Sequence, residues 1–227
     1  MITESIVEAF NLLLSFDEEI YQIIFLSLTL ALLATLTALV FGVFFGILIS
    51  STTFKGKRFI KKLIFTFMGI PPVVLGLFVL LLTIGPLDPV FNLFTVQVMF
   101  FAQFLLVLPI ITGNIIISSE KTQKDVLETA ETLGAGRIDK IKLLITETKP
   151  FILMSMILGF SRAISEVGAV MLVGGNIRYS TRTMTTYIAR SNSMGDYSKS
   201  IAMGLILLIL AFVIHSVLAR FRGDFYD

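Results

Sequence analysis

The chain runs from Ile20 to Phe54 without a charged residue, well beyond the roughly 20 residues that cross a bilayer. A core helix of a soluble domain is seldom so long or so uniformly apolar. Three further uncharged runs, Leu63 to Leu87, Pro89 to Ser119 and Ser200 to Ala219, are each long enough to span. A fifth segment, Pro150 to Ile177, is interrupted by Arg162 and Glu166 but is apolar on both sides of them. Composition agrees. Of 227 residues 56% are hydrophobic and 15% charged, and the mean hydropathy is +0.91, too few polar groups to coat a water-facing surface. The sequence predicts an all-α membrane protein of about five transmembrane helices, with residues 20–227 as one transmembrane domain.

The basic residues set the expected topology. Lys55, Lys57, Arg58, Lys61 and Lys62 follow the first span. Lys121, Lys124, Arg137, Lys140, Lys142 and Lys149 separate the third from the fourth, and Arg220 and Arg222 follow the last. These are 13 of the 18 basic residues, all on one side. The other side carries Arg178, Arg182, Arg190 and Lys199 in its longest loop. The positive-inside rule then places the N-terminus outside and the C-terminus in the cytoplasm. Residues 1–19 alternate acidic and apolar positions at helical spacing and read as an amphipathic helix at the outer interface. They lack the basic start of a cleavable signal.

Several chemistries are excluded. Without cysteine there is no disulfide, thiolate metal site or cysteine nucleophile, and His215, the single histidine, builds no metal site alone. No nucleophile–base pair lies within the spans, so an enzyme is not expected. Nor is a directly bound cofactor or metal, or a nucleic-acid partner.

Four features carry functional information. The polar segment 120–149 has apolar residues at helical spacing (Val126, Ala130, Leu133; Ile138, Ile141, Leu144) on either side of Gly134-Ala135-Gly136. It reads as two short amphipathic helices joined at a glycine, suited to docking on a protein or lying on headgroups. Arg162 and Glu166, four residues apart, share a helix face and can pair. Charges within a span are costly unless paired or wetted, so they either pin the helix or face a permeating ion. Val173 to Ser191 combines glycines, Asn176, hydroxyls and three arginines with no carboxylate before Asp196, a surface fit for an oxyanion or an acidic partner, or an ordinary external loop. Finally, Pro71-Pro72 and Pro109 should kink or divide their spans, and Gly42 and Gly46 have the spacing of a close helix contact.

Together these residues resemble the membrane subunit of an ATP-binding-cassette importer. ETAETLGAGRIDKIKLL, from Glu128, is similar to that family's cytoplasmic coupling motif at Glu128, Ala130, Gly134 and Ala135. Thr129 replaces the usual second alanine, and Ile145-Thr146 stands where Leu-Pro is usual. Gly159 to Ala189, with SRAISEVGAV and GGNIR, and GIPPVVLGL at Gly69 to Leu77 resemble the oxyanion branch for molybdate, tungstate and sulfate, most closely its tungstate-type permeases. The resemblance implies a type I importer permease fold in a prokaryotic plasma membrane. It implies a homodimer above two ATPase subunits, served by an extracytoplasmic oxyanion-binding protein, and it favours the protein-docking role for 120–149. ATP would be used by the partner, since the chain has no P-loop. Arg162, Ser165, Glu166, Pro71 and Pro72 become candidates for the path or gate, with Arg162 expected to be tied to Glu166. Asn176, Arg178 and Arg182 become candidates to face the binding protein. A secondary anion transporter is the rival class, opposed by the lack of a visible inverted repeat and of membrane carboxylates for ion coupling.

Overall fold

Hydrocarbon offers the backbone no hydrogen-bond partners, so a chain this apolar must satisfy its amides internally, as helices do. The computed structural model describes residues 17–85, 92–132 and 134–223, with isolated positions 6, 7, 10, 11 and 14. For 121–129, 131, 137, 141, 144, 218, 219 and 221–223 it describes the backbone alone. Among the described residues all regular structure is helical: α1 (Glu18–Ser51), α2 (Lys57–Met68), α3 (Pro72–Ile84), α4 (Val96–Thr132), α5 (Arg137–Ile164), α6 (Gly168–Gly174), α7 (Met184–Ser193) and α8 (Tyr197–Gly223). Helices α1, α4, α5 and α8 are long and apolar enough to cross a membrane, and the pair α2–α3, bent by 106°, makes a fifth span when taken together. The protein is therefore a multi-pass membrane protein.

Helix α1 starts where Asp17 Oδ1 accepts from the amides of Glu19 (2.8 Å) and Ile20 (3.3 Å), with Glu18 and Glu19 in the first turn where the helix dipole favours them. Lys57 Nζ closes its other end by donating to the carbonyls of Ser50 and Thr52. Its inward stripe is small: Ala31, Ala34, Ala38, Gly42 and Gly46 are buried. A Cβ on Gly42 would lie 2.7 Å from Ile111 Cγ2, and one on Gly46 would lie 2.6 Å from Ile115 Cγ2. The Gly42–Gly46 spacing is thus the α1–α4 contact, where two backbones approach because no side chain intervenes.

Two apolar clusters hold the bundle. One joins α1, α4, α5, α7 and α8 around Ala38, Ile111, Phe160 and Met203, and the other joins α1, α3, α4 and α6 around Leu30, Val79, Met99 and Val170. Outside them the perimeter stays apolar, with Phe25, Val40, Leu208 and Phe212 more than two-thirds exposed, as suits a lipid-facing surface.

The prolines divide by context. Pro71 and Pro72 separate α2 from α3 at the sharp bend, whereas Pro109 and Pro150 lie inside continuous helices. The third span begins at Val96 rather than Pro89, and 86–91 lie outside the described residues. Most of the expected 1–19 helix also lies outside them, but Ile6, Val7, Phe10 and Leu14 are helical and exposed at one-turn spacing, an apolar stripe left uncovered among the described residues.

Candidate functional site

The charges separate to opposite ends of the bundle. At one end Glu120 receives Lys61 Nζ (2.5 Å) and Lys57 Nζ (3.8 Å), joining the start of α2 to α4. At the other, Glu19 receives Arg178 (2.7 Å) and Arg182 (2.5 Å). The basic first loop and the 173–191 loop therefore lie on different sides, as the charge pattern requires.

Beyond Glu120 the 120–149 segment is not a pair of free short helices. Helix α4 continues unbroken from the span to Thr132, and α5 starts at Arg137 and runs on into the next span. Polarity changes along each helix without a helix break, so the hairpin is an extension of two spans. Its turn is a helix C-cap: Ala135 N donates to Ala130 O (2.9 Å), and Gly134 takes φ +76°. Ala130 is buried, while Gly134 is exposed, and a Cβ on it would meet nothing within 4 Å. The side chain of Glu128 lies outside the described residues.

The middle of the bundle contains two broken spans, and they meet. Helix α5 stops at Ile164, and α6 restarts at Gly168. At that start, a Cβ on Gly168 would lie 2.6 Å from Val73, beside Pro72, and Gly76 packs against Ala169. The breaks at Pro71-Pro72 and Ser165–Val167 are therefore neighbours. The expected Arg162–Glu166 pair does not form. The helix ends between them, so four-residue spacing no longer puts them on one face, and no ion pair joins them among the described residues. Glu166 is buried and turned to the backbone. Its Oε1 accepts from Ala169 N (2.8 Å), and its carbonyl accepts from Thr185 Oγ1 (2.7 Å). It caps α6 and ties the break to α7.

Glutamine at 166 keeps that acceptor, so Glu166→Gln should melt within about 1 kcal/mol of the parent. Glu166→Ala, which leaves a buried amide unsatisfied, should lose about 1–3 kcal/mol. Thermal melts in detergent compare the two, and equal losses would contradict the capping role.

Arg162 faces the other way, into an open cleft of ≈ 510 Å³ with Asn114, Ser161 and Ser165, walled by Met68 and Ile110. Ser161 Oγ donates to Ile157 O (2.7 Å) and is 2.5 Å from His215 Nε2, while His215 Nδ1 is 2.7 Å from Ala211 O. His215 is thus a tie between α8 and α5. Nearby, buried Gln103 donates to Ala163 O (3.1 Å), capping the end of α5, and its Oε1 has no partner among the described residues. Arg162, Ser165, Glu166, Pro71 and Pro72 all surround the paired breaks. Asn114, Gln103 and His215 were not legible as neighbours, because nothing local marks which face of an apolar helix turns inward.

The 173–191 loop is held by its own polar groups and by Glu19. Arg182 is buried, paired with Glu19, and donates from Nε to Asn176 Oδ1 (3.1 Å). Asn176 takes φ +52°, a backbone role. Both hold the loop together while lining the open cleft beside it. The hydroxyls are spent likewise: Thr181 Oγ1 donates to Gly174 O, and Thr183 and Thr186 form the capping box of α7. Arg178 is exposed, over the Tyr179 ring, and its hydrogen bond to Glu19 holds its guanidinium above its ordinary value. Arg178, Arg190 and Lys199 rim a cleft of ≈ 640 Å³. There the Lys199 ammonium, hydrogen-bonded to Asp196, holds that carboxyl below the ordinary carboxylate range. Arg190 is exposed and has no carboxylate partner among the described residues.

Comparison with known proteins identifies the family. Residues 38–223 match the family of binding-protein-dependent transport system inner membrane components. The chain is 42% identical to the tungstate uptake system permease protein TupB of Peptoclostridium acidaminophilum, over 98% of this chain and 99% of that one. It is 37% identical to a probable anion ABC transporter permease protein of Haloferax volcanii, over 74% and 76% of the two chains. Its identity to the molybdenum transport system permease protein ModB of Escherichia coli is 29%, over 90% and 95%. The chain belongs to the family of binding-protein-dependent transport system inner membrane components.

Proposed function

We propose that the protein is the membrane-spanning subunit of an ATP-driven importer for a tetrahedral oxyanion, with tungstate as its substrate. The observation that carries this reading is the similarity to a tungstate uptake permease along almost the whole of both chains. Two copies form the pore in the plasma membrane of a prokaryote, with the N-terminus outside and the C-terminus inside. Two ATPase subunits lie beneath, and an extracytoplasmic binding protein delivers the anion. The chain itself catalyses nothing and binds no cofactor; ATP is hydrolysed by the partner.

The mechanism follows from helix continuity. The hairpin at Glu128, Ala130, Gly134 and Ala135 is continuous with α4 and α5, so closure of the ATPase pair beneath it moves two spans directly. Those spans flank the cleft and the paired breaks. On the outer side, Arg178 and Arg190 present cations for an acidic binding-protein surface, while Arg182 and Asn176 keep the loop in shape.

Gly134 separates local strain from docking. Gly134→Ala should cost about 1–2 kcal/mol of turn stability, the left-handed penalty, and leave uptake measurable. A Cβ at 134 meets nothing within 4 Å among the described residues, so Gly134→Trp projects its ring from the exposed tip of the hairpin, where the ATPase would dock. It should abolish stimulation of ATP hydrolysis by the loaded binding protein while the permease still reaches the membrane. Normal uptake by the tryptophan variant would remove the hairpin from the coupling step. For the function itself, gentle purification from native membranes should recover a stoichiometric ATPase stimulated by a tungstate-loaded binding protein. A clean permease without an ATPase, in several mild detergents, would refute the reading.

A further inference from the structure

Arg162 is a cation in the membrane that the fold does not neutralise. It makes no side-chain hydrogen bond or ion pair among the described residues, and its expected partner is committed to the start of α6. Asn114, half-buried on α4, likewise has a carboxamide without a partner among them. Both line one open cleft. The other polar groups there are spent, since Ser161 donates to Ile157 O beside His215 and Ser165 donates to Ser161 O. Asn114 is six residues from Glu120 along α4, about 9 Å, so the cleft lies in the inner part of the bundle near the Glu120 end.

A charge left unpaired at such depth faces water or a counter-ion. A guanidinium presents parallel N–H groups that match two oxygens of one oxyanion, and the carboxamide adds a third donor. The Met68 and Ile110 walls lower the local polarity and strengthen those bonds. A single arginine also lets the ion leave, which a ring of them would not. We propose that Arg162 and Asn114 form a transient binding station for the tetrahedral oxyanion, the last stop before release at the Glu120 end. The station deepens the importer reading above and rests on it.

The test uses the complete complex, with its ATPase and binding protein, in proteoliposomes, and reads tungstate uptake and ATP hydrolysis together. Arg162→Gln should lower the maximal uptake rate about tenfold or more, the scale of losing a charge-assisted hydrogen bond. Binding-protein-stimulated ATP hydrolysis should persist, and the binding-protein concentration for half-maximal uptake should not move. Arg162→Lys should fall between, and Asn114→Leu should lose less than Arg162→Gln. Wild-type uptake by Arg162→Gln would overturn the station and leave the importer standing. Failure of both arginine variants to assemble would overturn it too, by making the residue structural. If the unaltered complex takes up no oxyanion, the importer reading fails first.

Discussion

Glu19→Ala is expected to destabilise the protein by about 3–5 kcal/mol, the cost of stripping the partner from a buried charge. Arg182 sits with its side chain 8% exposed, and Glu19 is its carboxylate. Glu19 also binds Arg178, while Gln22 donates to Tyr179 O (2.8 Å), so the first turn of α1 anchors the loop twice. Losing Glu19 leaves the Arg182 guanidinium, mostly buried at the edge of the cleft, without its carboxylate. Glu19→Gln, which keeps an acceptor but no charge, should fall between. The double variant Glu19→Ala with Arg182→Met should recover much of the loss, because removing both charges removes the uncompensated one. Thermal denaturation in detergent measures all three, and a double variant no better than Glu19→Ala would contradict the pairing.

The second large effect is expected from Gly46→Leu. Any Cβ at this position would sit 2.6–2.7 Å from Ile115, which is fully buried and has nowhere to go. Overpacking of this kind costs about 1–3 kcal/mol, and a leucine belongs at the upper end because both backbones must separate. Wild-type melting of Gly46→Leu would mean that α1 and α4 do not touch there.

Helix existence was legible because uncharged length is a direct physical demand of the bilayer. The runs beginning at Ile20 and Ser200 became α1 and α8 nearly as read. The bend at Pro71-Pro72 was also legible, since two successive prolines deny the helix its donors. Helix continuity was not. The 120–149 segment looked like separate short helices because its polarity changes, yet propensity persists across that change and the spans simply extend. The i,i+4 rule failed at Arg162 and Glu166 because it assumes that a helix runs through both, and Glu166 is instead the cap of the next one. The Arg182–Glu19 pair was not legible for a different reason. Its carboxylate lies far away in sequence, in a segment read as an interfacial helix, and no local spacing reports such a pair.

Transport energetics test the central claim most directly. The permease, reconstituted with its ATPase and binding protein in proteoliposomes, should accumulate labelled tungstate only with hydrolysable ATP on the ATPase side, and a proton ionophore should leave that uptake intact. Uptake that continues without ATP and collapses with the ionophore would contradict the account and make the protein a secondary anion transporter.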